Sequence, residues 1–413
     1  MKSTWHRNSL SEISDILNGL WTGKKPPYVN VGVIRNTNFS KECVLDTTDI
    51  AYLDVEKEQY AKRRLQYGDI ILEKSGGGPK QPVGRPVLFD LTGGEYSFSN
   101  FTSAIRCNRQ VIEPHYLHKY LFFLYLNGVT ERMQSHSTGI RNLKLDEYKA
   151  LEIPFPTLPE QKRIVAILDE AFSGIARAKE TAVKNIANAR ELFERYLHNL
   201  FEKPTFTHVE RRVEEVADVR GGFAFKSDDF VQNGKYQVIR MGNVRPGQIR
   251  MFENPVYIDK IDDKTLARSL LKKNDIIITQ TGTRKKRDYG YTTIIEEDHF
   301  LLNQRLASIY CSESIIPKYF LYYSWSNKFR DQFFANETGT VGQGNVGIGA
   351  ITNAVVPIPS VNIQREIVAG LDCLFENVNS LQRNYGQRLS SLEELKKALL
   401  HQAFSGALTG TAT

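Results

Sequence analysis

Two stretches of the chain carry the same pattern of apolar and polar positions. Residues 153–172 read IPFPTLPEQKRIVAILDEAF, and residues 356–375 read VPIPSVNIQREIVAGLDCLF. Aligned at an offset of 203 residues, they share two prolines, one glutamine and most of their apolar positions. A period near half the chain length is too long for a solenoid, so the pattern indicates a duplicated domain.

Each copy predicts the end of a strand followed by a long helix. The alternate prolines, Pro154 and Pro156 in the first copy and Pro357 and Pro359 in the second, lack N–H donors and hold an extended segment. A helix must therefore begin after the second proline of each copy. At 1.5 Å per residue, a helix of about 40 residues is roughly 60 Å long.

The apolar positions of each predicted helix form one narrow seam. In the second helix they recur mostly in alternating steps of four and three, as in coiled coils. The seam of the first helix is Ile164, Leu168, Ala171, Ile175, Ala178, Ala182, Ile186, Ala189, Leu192, Tyr196 and Leu200. Its small alanines would let a partner backbone approach closely.

A helix of this length with a single seam is unstable alone in water, so we expect the two seams to pack on each other, antiparallel. Packing of each helix on its own globular segment is the alternative. The residues predicted to pair the helices are Ile164, Leu168, Ile175, Ile367, Leu371, Leu374, Val378, Leu381 and Leu392.

The segments that precede the two helices repeat the same order of elements. In the first, residues 11–20 predict a short strand or helix, 31–39 a strand entering a turn, and 68–89 a strand, glycine loop and strand. Pro114 begins an aromatic-rich helix. In the second, the corresponding stretches are 238–244, 274–290, a helix from Pro317, and 337–347 in place of 137–145.

The sequence therefore predicts an α+β protein with two tandem, similar α/β domains, each followed by a long helix. The helices are expected to pair as an antiparallel coiled coil with pseudo-two-fold symmetry. The predicted division is a first domain at 1–156, a central helix at 157–203, a second domain at 204–359, a C-terminal helix at 360–405 and a flexible tail at 406–413.

Composition narrows the class of protein. The chain is 41% hydrophobic and 24% charged, as in ordinary globular proteins, and its net charge of +7 has the sign that a polyanion-binding protein needs. The four cysteines show no C-x-x-C spacing, so we expect reduced thiols and no metal site. The longest apolar run, 120–126, is too short to cross a bilayer, and the first residues lack a secretory h-region. We expect a cytoplasmic protein with no membrane partner.

Two loops at matching places carry the features of a DNA-binding surface. The first combines three glycines, which let a backbone or base edge approach closely, with nearby positive charges. The second is a compact cationic run beside Gly282. A basic run is also typical of a solvated turn, but matched loops in duplicated domains favour binding. The candidate DNA-binding residues are Lys74, Ser75, Gly76, Gly77, Lys80, Arg85, Arg141, Arg284, Lys285, Lys286, Arg287 and Gln343.

Motifs for catalysis are weak. Gly342, Gly344 and Gly347 satisfy G-x-G-x-x-G, yet no preceding strand or following helix is predicted. Residues 254–257 read NPVY, which differs from the N-P-P-Y motif of amino-methyltransferases, and no S-adenosylmethionine loop or Walker A motif accompanies them. We therefore predict no catalytic residue and no bound cofactor.

The doubled I-P-x-P and Q-x-x-I-V-A-x-L-D pattern, the long helix after it and a T-G pair before it, at 138–139 and 338–339, resemble the specificity subunit of type I restriction-modification systems. The chain departs from this pattern at Asn362 and Ile363, where the first copy has Pro159 and Glu160.

This resemblance implies two target recognition domains, each reading half of a bipartite asymmetric sequence in double-stranded DNA. It also implies a coiled coil that spaces the domains and docks two methyltransferase (M) subunits, with restriction/translocase (R) subunits joining through them. S-adenosylmethionine, ATP and Mg are then expected only on the partner subunits. The alternatives are a coiled-coil scaffold without its own DNA specificity and a fused DNA methyltransferase or nuclease.

Overall fold

The computed structural model describes residues 5–20, 25–78, 81–137, 140–340 and 342–408. Lys80, the pair 138–139 and the end of the predicted tail, 409–413, lie outside the described residues. The chain forms two compact units. Unit 1 contains residues 1–182 and 387–413, and unit 2 contains residues 183–386. This division cuts both long helices, so it does not test the predicted division into domains and helices.

The two long helices span Leu158–Glu202 and Val361–Phe404. Each begins shortly after the last proline of the repeated motif, as the missing proline donors predict. Within the described part of the chain, no helix is sufficiently long and apolar to span a membrane.

The globular part of unit 1 contains short strands and helices around one aromatic helix. Residues 11–20, predicted as either a short strand or a short helix, contain the end of a helix followed by a strand. The helix predicted to begin at Pro114 is confirmed. The strands are His6–Ser9, Ser14–Asn18, Tyr28–Ile34, Ala51–Glu56, Ile70–Glu73, Ser75–Gly77, Pro86–Leu88, Tyr96–Phe98, Thr102–Cys107, Gln134–Ser137, Ile140–Leu143 and Glu152–Phe155. The helices are Leu10–Ile13, Lys57–Arg63, Pro114–Leu126 and Leu145–Lys149, with 3-10 turns at Asn36–Asn38 and Val129–Met133.

The globular part of unit 2 repeats this order. A short helix follows the glycine-rich segment near Gly344, so the expectation that no helix follows it is wrong. The strands are His208–Arg212, Ala217–Gly221, Tyr236–Ile239, Val244–Arg245, Gln248–Ile249, Tyr257–Ile258, Ile276–Thr279, Thr281–Thr283, Thr292–Ile294, Phe300–Leu302, Leu306–Cys311, Thr338–Gly339, Gln343–Asn345 and Val355–Pro359. The helices are Val213–Val216, Asp263–Ser269, Pro317–Trp325, Asn327–Ala335 and Ile348–Thr352, with 3-10 turns at Ser227–Asp229 and Met241–Asn243.

The sheets of the two units have the same topology. Each unit has a four-stranded antiparallel sheet. Its third strand, Ile70–Glu73 or Ile276–Thr279, leads into the glycine loop of unit 1 or the cationic loop of unit 2. Each also has a three-stranded sheet whose central strand, Tyr28–Ile34 or Tyr236–Ile239, pairs antiparallel on one side and parallel on the other. The duplication read from the helix motif therefore extends through the whole domain fold.

Within unit 1, the two long helices pair antiparallel. Ile164 and Leu168 are buried in the same cluster as Leu400 and Phe404, and Lys179 donates to Glu393 further along. This cluster also includes the aromatic helix of the globular domain. Both the predicted pairing and the alternative, packing on the domain, therefore occur together.

Within unit 2, the other halves of the helices pair in the same sense. Leu371 and Val378 are buried with Ala189 and Phe193, while Ile367 and Leu374 pack at the edge of this cluster. Further along, the contact becomes polar, since Asn185 Nδ2 donates to Tyr385 Oη at 2.9 Å. The predicted coiled-coil pairing is confirmed within each unit.

Some seam positions are wrong. Leu381 is 44% exposed, because its neighbours Gln382 and Tyr385 make polar contacts with the partner helix instead. Leu392 is half-buried, whereas Ile175 is buried as predicted. In the first helix, Leu192 is 61% exposed.

The first-helix error has a geometric cause. From Ala189 the buried positions advance in steps of four, through Phe193 and Leu197 to Phe201. A 3.6-residue helix drifts relative to a strict seven-residue repeat, and these residues follow the core of the globular domain. The predicted seam therefore runs one residue out of phase at this end, and Tyr196 is exposed as well.

The repeated glutamine of the motif fastens each helix to its domain. Gln161 and Gln364 are both fully buried. Gln364 Oε1 accepts from Ile316 N–H at 2.8 Å, and its Nε2 donates to the carbonyls of Ser314 and Pro359, each at 3.0 Å.

Gln161 makes the same three bonds with residues 203 positions earlier. Its Oε1 accepts from Glu113 N–H at 2.8 Å, and its Nε2 donates to the carbonyls of Val111 and Pro156 at 3.2 and 2.9 Å. An amide has one acceptor and two donors at this site, which is why no carboxylate or apolar residue replaces it without loss.

We predict that Gln364→Ala lowers the free energy of unfolding by about 3 kcal/mol, because it leaves one buried N–H and two buried carbonyls without partners. Thermal unfolding of the purified chain measures this loss. Glu366→Ala, at an exposed position of the same helix, is the matched control. Equal melting temperatures for the two variants would contradict the assignment.

Candidate nucleic-acid interface

In unit 1 the structure brings two distant groups of predicted DNA-binding residues onto one small sheet. The strand Ser75–Gly77 pairs with Ile140–Leu143, placing Gly77 opposite Arg141 and Ser75 opposite Asn142. Ser75 Oγ lies 2.5 Å from Asn142 Oδ1. Lys74 precedes this sheet, where its Nζ donates to Asn18 Oδ1 at 3.1 Å and burial lowers its pKa.

Unit 2 has the equivalent sheet. The strand Thr281–Thr283 pairs with Gln343–Asn345, so Thr283 lies opposite Gln343. The cationic run 284–287 follows this strand directly. The pair Thr338–Gly339 forms the third strand of this sheet. The predicted sites of each domain thus share one sheet, although they are far apart in sequence.

The glycines of the first loop serve two purposes. Gly76 is exposed and has a φ of +103°, a conformation that favours glycine, and a Cβ there would lie 2.8 Å from Asn36 Nδ2. Gly77 is buried, and a Cβ would lie 2.6 Å from Gln81 O. Gly76 leaves the backbone open to a ligand, whereas Gly77 serves internal packing, which corrects its predicted role.

Arg85 is a core residue and not an exposed cation. It is 5% exposed, its Nε and Nη2 donate to the Glu73 carboxylate at 2.7 and 2.8 Å, and Nη1 donates to Phe39 O at 2.6 Å. Its donors are therefore used within the domain. This corrects the prediction that Arg85 contacts DNA, because the sequence places a charge near the loop without showing which carboxylate neutralises it.

Arg85→Ala is expected to destabilise the domain by about 3–5 kcal/mol, because it leaves the Glu73 carboxylate buried without a partner. Chemical denaturation monitors the loss. The double variant Glu73→Leu with Arg85→Met removes both charges and should recover part of it. A single variant as stable as the parent chain would show that the pair is not structural.

The four cations of the second loop differ in their surroundings. Arg284 Nε lies 3.3 Å from Glu337 Oε2, and Arg287 stacks 4.8 Å from the ring centroid of Phe334. Lys285 and Lys286 are exposed, and neither ammonium has a partner among the residues that the structure describes. Among the described residues, the two lysines are the unpaired positive charges of this loop, whereas Arg284 and Arg287 also contact the domain.

Sequence reasoning missed Arg330, which fixes the cationic loop. Its Nη2 donates to Arg287 O at 3.4 Å, and its guanidinium lies 5.2 Å from the Phe334 centroid. Burial lowers its pKa. Arg330 comes from a helix more than 40 residues away, so no local pattern indicates this contact.

A repeated turn, which the sequence analysis also did not single out, borders the small sheet of each domain. Asn38 and Asn243 are buried, and each Oδ1 accepts from the N–H of the arginine three residues earlier, at 2.9 and 3.0 Å. The residue after that arginine contacts the sheet. Asn36 Nδ2 donates to Ser75 O at 2.5 Å, and Thr281 Oγ1 donates to Met241 Sδ at 3.1 Å. The similarity of residues 33–39 and 238–244 was the available signal.

Each turn lines a polar cleft. The unit 1 cleft has a volume of about 500 Å³, and among its walls are Asn36, Thr37, Lys41, Gly76 and Gly78. The unit 2 cleft has a volume of about 530 Å³ and is lined by Arg240, Met241, Gly242, Asn243, Glu253, Asn254, Asn303, Gln304 and Arg305. Within the described ranges, no three His, Cys, Asp or Glu side chains come together to hold a metal ion. A polar cleft with a cationic loop in the same domain, as in unit 2, fits a ligand that is both anionic and rich in hydrogen-bonding edges.

The fold and these surfaces agree with a known family. The model of the type I restriction modification DNA specificity domain matches residues 2–185 and again residues 207–389. The chain belongs to this family and contains its domain twice.

Individual relatives agree with this assignment. The specificity subunit of the type I restriction enzyme EcoKI from Escherichia coli K12 is 23% identical over 405 residues, covering 93% of this chain and 82% of the relative. The StySPI specificity subunit from Salmonella potsdam is 23% identical over 433 residues, covering 98% and 89%.

Solved structures show the same fold. One solved chain has a TM-score of 0.73 at 18% identity, with 97% of each chain covered. It comes from a study of the structural basis of complex assembly and conformational transition of the type I R-M system. The HsdS subunit from Thermoanaerobacter tengcongensis has a TM-score of 0.58 at 18% identity, covering 98% of this chain and 97% of that one. The predicted specificity-subunit class is confirmed.

Proposed function

We propose that the chain directs a type I restriction-modification complex to a bipartite, asymmetric sequence in double-stranded DNA. Each domain reads one half-site, and the paired helices set the separation of the half-sites. Two methyltransferase subunits dock on the chain, and restriction/translocase subunits join through them. The chain itself contributes recognition and no chemistry.

One observation carries this proposal. The two domains keep identical internal bonding, as at Gln161 and Gln364, but differ at the sheet where a ligand would bind. A glycine loop around Gly76 occupies this place in one domain, and a cationic loop around Lys285 occupies it in the other. Two equal scaffolds with unlike surfaces are suited to reading two unlike sequences.

The chemistry of the loops supports DNA as the ligand. Exposed lysines without internal partners neutralise phosphates and release counterions, which gives affinity without sequence preference. Sequence preference requires further groups that reach base edges. The methyl donor S-adenosylmethionine, and ATP with Mg, belong in this proposal to the partner subunits, where adenine is flipped out and methylated.

A coiled-coil scaffold without DNA specificity is the alternative. A gel shift with the methyltransferase subunits present separates the two. Retardation that depends on sequence and weakens steeply with salt supports recognition, whereas no retardation favours the scaffold.

We predict that Lys285→Ala with Lys286→Ala reduces the slope of log affinity against log salt by about 2, because about one counterion is released for each phosphate neutralised. The loss of affinity should be similar for all DNA sequences. Filter binding at several salt concentrations measures the slope. The control is Lys260→Ala, which removes one exposed charge outside the loop. An unchanged slope in the double variant would contradict phosphate contact by this loop.

Lengthening the paired helices should lengthen the spacer between the half-sites. Four residues inserted after Ser380, with four more after Arg190 in the partner helix, add about 6 Å, or about 2 base pairs at 3.4 Å each. The two positions are matched because Arg190 Nη2 donates to Gln382 Oε1 at 3.3 Å. Mapping of methylated adenines reports the spacer. Ser380→Ala is the control, and an unchanged spacer in the insertion variant would refute the role of the helices.

A further inference from the structure

We propose that the unit 2 cleft reads base edges, and that Asn254, Gln304 and Arg305 determine the sequence of the half-site bound by the second domain. The neighbouring lysines of the cationic loop bind phosphate. This inference rests on the proposed function and assigns a separate task to each surface of that domain.

The first argument is that the polar groups of these side chains are not bonded to other described residues of the chain. All three residues are exposed and line the same cleft. The side-chain amides of Asn254 and Gln304 and the guanidinium of Arg305 make neither a hydrogen bond nor an ion pair with any described residue. Arginines of the cationic loop differ, because Arg284 is paired with Glu337 and Arg287 is stacked on Phe334.

The second argument is chemical. An arginine fork fits the O6 and N7 acceptors of guanine, and an asparagine or glutamine amide fits the N6 and N7 groups of adenine. A cleft with one free guanidinium and two free amides therefore carries the side chains that distinguish base pairs in the major groove. Lysine, a compact point charge, suits phosphate better.

The third argument is that two of these residues, Asn254 and Arg305, have unusual backbone conformations. Asn254 has a φ of +49° and Arg305 a φ of +66°, in the left-handed region that residues with a side chain rarely adopt. The Arg305 carbonyl accepts from Gln280 N–H at 2.9 Å. Close to Arg305 in the chain, the Asn303 carbonyl lies against Gly222. A Cβ on Gly222 would lie only 1.9 Å from Asn303 O, so a side chain does not fit there. Such conformations cluster at functional sites, where they place a side chain in advance of binding.

The fourth argument comes from the duplicate domain. Phe101 occupies the equivalent backbone position in unit 1, since its carbonyl accepts from Lys74 N–H at 3.0 Å, and a Cβ on Gly19 would lie 1.8 Å from Ser99 O. Phe101 is 45% exposed. The same corner of the scaffold thus presents phenylalanine in one domain and arginine in the other, as expected where the two domains read different bases.

The test uses the full chain in complex with its methyltransferase subunits, expressed in cells whose chromosomal DNA is then sequenced for methylated adenine. The variants are Arg305→Ala and Arg305→Lys. We expect both to relax one base position of a single half-site, with about a tenfold or greater loss of discrimination there. Lysine should not restore it, because an ammonium lacks the guanidinium fork. The other half-site and the spacer should be unchanged.

Two further variants separate fold and charge from base reading. Arg305→Gly relieves the left-handed backbone, so its melting temperature should not fall below that of the parent chain while discrimination is still lost. Lys285→Ala with Lys286→Ala should weaken methylation at all sites without changing the recognised sequence.

An unchanged recognition sequence in Arg305→Ala would overturn the inference and leave the proposed function intact. A uniform loss of methylation in Arg305→Ala, rescued by Arg305→Lys, would also overturn it, because the residue would then contact phosphate. If the parent complex itself methylates no bipartite sequence, the proposed function fails first, and the inference fails with it.

Discussion

The structure depends on the junction where each globular domain meets its long helix. A buried amide, Gln161 or Gln364, binds one backbone N–H and two carbonyls at each junction. Buried backbone groups must find partners, and the paired prolines have already removed the donors that a strand or helix would supply. The glutamine therefore fixes the direction in which the helix leaves the domain. This direction determines how the long helix packs on its domain and on the other long helix.

A rigid scaffold of this kind allows the binding surfaces to differ without affecting the fold. The four-stranded sheets, the aromatic helix and the glutamine junction repeat in both units, while exposed positions such as Phe101 and Arg305 do not. Surface residues change stability little unless they hold caps, networks or strained conformations. Exposed residues at the candidate interface can therefore differ between the two domains while the fold of both domains stays the same.

The charged residues near the candidate interface fall into two groups: those paired inside their domain, and those that are exposed and whose side chains have no partner among the described residues. Arg85 and Arg330 carry the charge expected of DNA contacts, yet both are engaged inside their domains. Lys285, Lys286 and Arg305 are exposed, and their charged groups make no hydrogen bond or ion pair with any described residue. The sequence shows which residues are charged but not which group each charge contacts. Glu73 meets Arg85, and Phe334 meets Arg330, only in the folded chain.

The sequence by itself determined the duplication, the two long helices, most of their pairing residues and the family, because these depend on spacing along the chain. Tertiary structure decided the phase of the seam near Phe193, the exposure of Leu381 and the burial of Gly77. It also decided that segments as distant as Ser75 and Asn142 form one surface. Local periodicity fixes which face of an element is apolar, whereas long-range contacts determine what that face meets, and only the folded chain contains them.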